Sequence, residues 1–150
     1  LSNKQHLAAA IVRIVCAFIT FVALVFTLYR IGPYLETQYL PVVSKLEILS
    51  AVPRNGGMQT ELRAAFRKTR DCEYIGLAWF VGDRQTQFDR VSIILMRDQG
   101  DTSSPSRPLG YQKAGPWLLS IPPDDVKKRS FAQLFHRCHP FWMTVTEFYP

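Results

Sequence analysis

Residues 7–29 read LAAAIVRIVCAFITFVALVFTLY, and this stretch decides what kind of protein the chain can be. Within it only Arg13 is charged; most of the rest is Ala, Ile, Val, Phe and Leu. As a helix rising ~1.5 Å per residue it would reach about 34 Å, against a hydrocarbon core of roughly 30 Å. A core helix of a soluble protein keeps a polar stripe. Ile14 to Leu28 has none beyond Thr20 and Thr27, whose hydroxyls can bond their own backbone. A cleaved signal peptide has an apolar run of only about 7–15 residues followed by a small-residue cleavage site. Here the run is longer and ends in Tyr-Arg-Ile-Gly-Pro. The pattern predicts one transmembrane helix over 7–29 that anchors everything after it.

The flanks support that placement. Arg13 lies about two turns inside the span, close enough for its side chain to snorkel to the headgroups. A charge in a span can also line a water-filled assembly or pair with a partner helix. Tyr29 and Arg30 make an interfacial anchor at the far end. Lys4 and Arg13 on one side, with Arg30 and Glu36 on the other, give a slight positive-inside bias. Ala9, Ala10, Ala17 and Ala23 offer small surfaces for helix approach, without a GxxxG motif. Because the chain begins at Leu1 rather than Met, sequence is expected to precede it.

Net charge is +6, from 18 basic and 12 acidic residues. Setting aside Lys4, Arg13 and Arg30 leaves 15 basic against 12 acidic residues in the soluble part. That balance is too mild for a nucleic-acid partner, and no basic run is interleaved with aromatics. Lys127, Lys128 and Arg129 form one short cluster, either a solvated face or an approach to an anionic bilayer. Cys16 falls within the span as a small apolar residue, which leaves Cys72 and Cys138 in the soluble part. These two suggest a disulfide, and with it an oxidising compartment such as a periplasm; the alternative is two unrelated buried thiols.

The coarse organisation is an N-terminal flank over 1–6, the span over 7–29, a juxtamembrane stalk and linker over 30–57, and a globular domain over 58–150. Gly32 and Pro33 are expected to break the first helix, and Val42 to Ala51 can form a short second one. Thr60 to Arg70 reads as a helix capped by Thr60, with Leu62, Ala65 and Phe66 at helical spacing. Tyr74 to Val81 reads as a strand, and Val91 to Met96 as a second, central one because its apolar run is nearly continuous. Gln99 to Gly110 is a long polar loop, and Trp117 to Ile121 a third strand. Asp124 and Asp125 open a helix over Val126 to His136, and Trp142 to Tyr149 alternates as a closing strand. The order predicts an α+β domain with a mainly antiparallel sheet, of the general shape seen in PAS-like and GAF-like modules.

No catalytic constellation emerges, so the chain is not expected to be an enzyme, nor to carry a cofactor. There is no phosphate-binding glycine loop, no HExxH and no GxSxG. His136, Cys138 and His139, with Cys72, could in principle supply zinc ligands. Adjacent Cys138 and His139 are hard to aim at one ion, so a disulfide with nearby surface or capping histidines fits better. No metal site is expected.

The layout resembles the holins of T-even-like phages. The likeness rests on the single span ending in Leu28-Tyr29-Arg30 with Gly32 following, and on the tyrosines Tyr34 and Tyr39 of the stalk. The segment Cys138-His139-Pro140-Phe141 and the strand from Met143 to Tyr149 complete it. This resemblance implies an inner-membrane protein that oligomerises, opens holes for an endolysin, and receives a regulatory antiholin on its periplasmic domain. Where that family pairs the counterpart of Cys138 with a later cysteine, Cys72 would take that role here. Two other classes stay open: an accessory subunit packed against other membrane subunits, and a ligand-sensing domain. All share membrane lipid as a partner.

Overall fold

The computed structural model describes residues 3–148, with side chains from residue 5. Its first element is one helix, α1 (Asn3–Tyr39), of 37 residues. At ~1.5 Å per residue that is about 55 Å, well beyond what a bilayer core requires. It is long and apolar enough to cross a membrane, and none of its most apolar window is buried by the rest of the chain. A core helix of a soluble domain would be covered on one face by its own chain, and this one is not. The expected break at Gly32 and Pro33 does not occur, because the helix runs through both. Contacts made by its last turns with the domain, described below, hold the helix where proline chemistry alone would end it.

The domain is built from two four-stranded antiparallel sheets, so the α+β layout holds with most of the weight on β. Strands β1 (Glu47–Arg54), β2 (Gln59–Lys68), β5 (Ile93–Leu95) and β6 (Gly110–Leu119) form one sheet in the order β1-β2-β6-β5. Strands β3 (Glu73–Gly82), β4 (Phe88–Val91), β7 (Ser130–Arg137) and β8 (Thr144–Phe148) form the other in the order β4-β3-β7-β8. The short helix α2 (Pro123–Lys128) carries Asp124 and Asp125 in its first turn, as expected, and seats Val126 in the core. Tyr149, the last residue of the expected closing strand, lies outside the described residues, as do Leu1 and Ser2 of the N-terminal flank.

Several expectations are corrected. The segment from Thr60 to Arg70 is not a helix but the central strand β2, and Thr60 donates its hydroxyl to Ile121 O (2.7 Å) instead of capping a turn. The expected helix from Val126 to His136 is split between α2 and strand β7. Val42 to Ala51 is extended chain entering β1, with Val42, Val43 and Leu46 in the core. The folded domain therefore takes in everything from Val42 onward, including much of the expected stalk and linker. The strand around Trp117 begins earlier, at Gly110. Val91 to Met96 is not one central strand: β4 pairs with β3 in one sheet and β5 with β6 in the other, each at a sheet edge. Only Val91 of this run is in the core; Ile94, Leu95 and Met96 are exposed, so the continuous apolar run did not signal burial on both faces.

The core lies between the sheets. Leu62, Trp117 and Leu119 from one face meet Trp79, Ala132, Leu134 and Phe148 from the other. Trp79 and Trp117 touch edge to face at 6.5 Å, and Trp79 donates its buried N–H to Ser130 Oγ (2.9 Å). Register slips between β2 and β6 at Gly115-Pro116. Gly115 has φ +107°, and a Cβ there would meet Leu62 O at 2.6 Å, so this bulge requires glycine.

Candidate functional site: the junction of helix and domain

The last turns of α1 carry Glu36, the first acidic residue in the chain. Its side chain is only 8% exposed. Burying a carboxylate is costly unless hydrogen bonds replace water, and here three side chains converge on it. Arg70 Nη1 donates to Glu36 Oε1 (2.8 Å) and also to Leu40 O (2.8 Å), closing over the helix end. Trp142 Nε1 donates to Glu36 Oε2 (2.7 Å), and His139 Nε2 lies 3.0 Å from the same oxygen. The backbone N–H of Phe141 donates to His139 Nδ1 (3.3 Å), which assigns the donating proton to Nε2.

Below that cluster the contact is apolar. Trp142 lies against the helix at Gly32, where an added Cβ would come within 2.7 Å of the indole ring. Glycine is what lets the indole approach so closely. One turn earlier, Tyr29 meets the same indole edge to face, with ring centroids 5.9 Å apart. The partners of Glu36 come from two places in the sequence, and one covalent bond joins those places. Cys72 and Cys138 form a disulfide with Cα atoms 4.6 Å apart, two residues after Arg70 and one before His139. The bridge fixes both jaws of the clamp that holds α1.

The connection between helix and sheet has no slack either. Val42 and Val43 are essentially unexposed. Thr69 N donates to Val42 O (2.9 Å), Ser44 N to Arg67 O (2.8 Å), and the Thr69 hydroxyl to Pro41 O (2.7 Å). Helix, connection and sandwich are thus joined through a part-buried ion pair, an indole packed edge to face and a paired backbone. No family model matches the chain, and neither a curated protein nor a solved structure does. What the molecule does must therefore be read from this geometry.

Of the residues singled out from the sequence, Cys72 and Cys138 are bridged and Tyr29 joins the junction. Arg30 lies over the Phe26 ring at 5.8 Å, and Arg13 is exposed on the helix away from the domain. The group His136, Cys138 and His139 is dispersed: Cys138 is in the disulfide, His139 turns to Glu36, and His136 is buried between the sheets. Sequence reasoning missed Glu36, Arg70, Trp142 and Gly32 as a unit. One signal was available. A lone carboxylate soon after an apolar stretch, with a histidine and a tryptophan three residues apart just after a cysteine far downstream, is the composition such a clamp requires.

Proposed function

We propose that this chain is a single-pass protein of an inner membrane that acts by assembly rather than catalysis, as an accessory subunit of a larger membrane complex. Its span packs against other helices, and its sandwich, on the periplasmic side, covers a partner's exposed face. The observation that carries this is the clamp on Glu36. A domain that only needs tethering can hang from a flexible linker, whereas a buried carboxylate held by three side chains of the domain fixes its attitude to the helix. Such fixation is useful when the domain must meet a surface at a set height and angle. The disulfide supports an oxidising compartment for the domain.

The test is a short Gly-Ser insertion between Tyr39 and Pro41 combined with Glu36→Ala and Trp142→Ala, which removes the clamp as well as the tight connection and so frees the domain while leaving anchor and sandwich in place. In its native membranes the unaltered chain should co-migrate with a larger assembly after mild extraction, and these changes together should release it. Migration of the unaltered chain alone would sink this proposal, as would undiminished assembly with the linker inserted. The holin-like role makes a different demand, since a pore former expressed by itself should abruptly collapse the membrane potential. A steady potential at high expression is expected here.

A further inference from the structure

Between the two sheets, just above the clamp, lies a pocket of about 110 Å³. Its walls are apolar, formed by Phe66, Leu77, Trp117 and Leu134 among others. Its polar contributors are one-sided: Lys68, Arg97, Arg107 and His136 line it with Tyr74, and no carboxylate does. Lys68 is the unusual member. It is 3% exposed, and its Nζ donates to Cys72 O (3.0 Å). Its ion partner, Asp71, lies at 3.8 Å with a side chain that is 88% exposed. An ammonium has three donors, so two are left without a hydrogen bond among the described residues. His136 is also 3% exposed, and its Nδ1 has no hydrogen-bond partner. A buried cation and a buried, unsatisfied imidazole in one apolar cavity are each costly, and a single anion would relieve both.

The mouth carries further charge. Arg97 and Arg107 come from the loop between β5 and β6, where Arg97 donates to Ser103 O and Arg107 to Asp101 Oδ2 (3.0 Å). That loop is tied across to the other sheet, with Tyr74 N donating to Ser106 Oγ (2.9 Å). We propose that this pocket binds a small free carboxylate with a compact apolar body, its acid group on Lys68 and His136 and its body against Phe66, Leu77 and Trp117. At about 110 Å³ the cavity is smaller than the roughly 150 Å³ that takes up benzene, so the guest is a short-chain acid of a few carbons rather than an aryl one. The enclosure excludes a folded partner, and the absence of lining acids disfavours an amine. The site stands whatever covers the membrane helix.

The full chain in nanodiscs of uncharged lipid, titrated with 3,3,3-trifluoropropanoate and followed by fluorine NMR, tests this, with empty nanodiscs as the blank. Saturable binding is expected, roughly tenfold or more tighter than for 3,3,3-trifluoropropan-1-ol or 3,3,3-trifluoropropylamine, the scale of a charged hydrogen bond. Lys68→Met should remove that preference while leaving the weak affinity for the alcohol. Arg107→Gln, in the mouth loop, should weaken the carboxylate if Lys68→Met proves unable to fold. Equal affinity for the three probes overturns the proposal, as does saturable binding that neither substitution changes. So does displacement of the probe when phosphatidylserine is added to the nanodisc, which would assign the site to a lipid headgroup.

Discussion

His136 and Glu36 show how differently two buried ionisable residues can be handled. Glu36 is surrounded by donors, so its charge is part of the structure. His136 has no such help. Burial, and next the positive charge of Lys68, lower its pKa from the ordinary value of 6.5 to about 4. The native state therefore resists a proton that the unfolded chain accepts from about pH 6.5 downward. Stability should be highest above that value, fall as pH drops from 6.5 towards 4, and stop responding to this group below it. The slope attributable to His136 is obtained by subtracting the acid titration of His136→Gln from that of the unaltered chain, using thermal midpoints. A difference that stays flat between pH 6.5 and 4 would mean the imidazole is not excluded from water as described. At this scale the sequence was partly legible. Paired cysteines could be inferred by counting, but the fate of each histidine depended on which strand face it occupied.

Element identity was legible where side-chain chemistry agreed with the final environment and illegible where it did not. β3 is rich in aromatic and aliphatic residues and reads as a strand from its sequence alone. β2 contains Glu, Leu, Arg and two alanines, and β7 contains Ala, Gln and Leu, all good helix formers with weak strand preference. In β7 the alternation Ser130, Ala132, Leu134, His136 faces the core, while buried Phe131 stacks on Phe80 across the opposite face. Burial on both faces blurred the period of two into something close to a helical repeat. At α1 the opposite happened: proline chemistry predicted a stop, and tertiary contacts at Glu36 and Trp142 overrode it. The disulfide acts at this same scale, because it joins the start of β3 to the segment after β7. Its cysteines are 66 residues apart, and closing a loop of that length is worth about 4 kcal/mol in the chain-entropy model. Replacing both cysteines by serine should lower stability by about that amount in urea titrations of the detergent-solubilised chain. It should also loosen the clamp, seen as faster hydrogen exchange around Arg70 and His139. A loss well under 1 kcal/mol would overturn the loop-closure estimate, and unchanged exchange around Arg70 and His139 would show that the clamp does not depend on the bridge.

For the whole molecule, a rigid junction converts the depth of the helix into the height of the domain. If Tyr29 marks the headgroup level, Glu36 stands about 10 Å further from the bilayer centre along a helix normal to the membrane. Trp142 packs against Tyr29 and Gly32 rather than above Glu36, so the segment following Cys138 hangs back along α1 towards its apolar stretch. Phe141 beside it is 64% exposed, which fits an aromatic residue at the interface better than one in water. The other two tryptophans are enclosed, Trp79 at 0% and Trp117 at 9% exposure, both between the sheets. Indole fluorescence therefore separates the two ends of the domain. In liposomes whose lipids carry bromine near the top of the acyl chain, a fraction of the emission should be quenched. Bromine near the chain terminus should quench that fraction less, because the indole sits shallow. Trp142→Phe should abolish the quenchable fraction while leaving the Trp79 and Trp117 signal intact. No quenching in either lipid would mean that the domain stands clear of the bilayer and that Tyr29 does not mark its surface, and quenching that survives Trp142→Phe would mean that a different face of the domain meets the lipid.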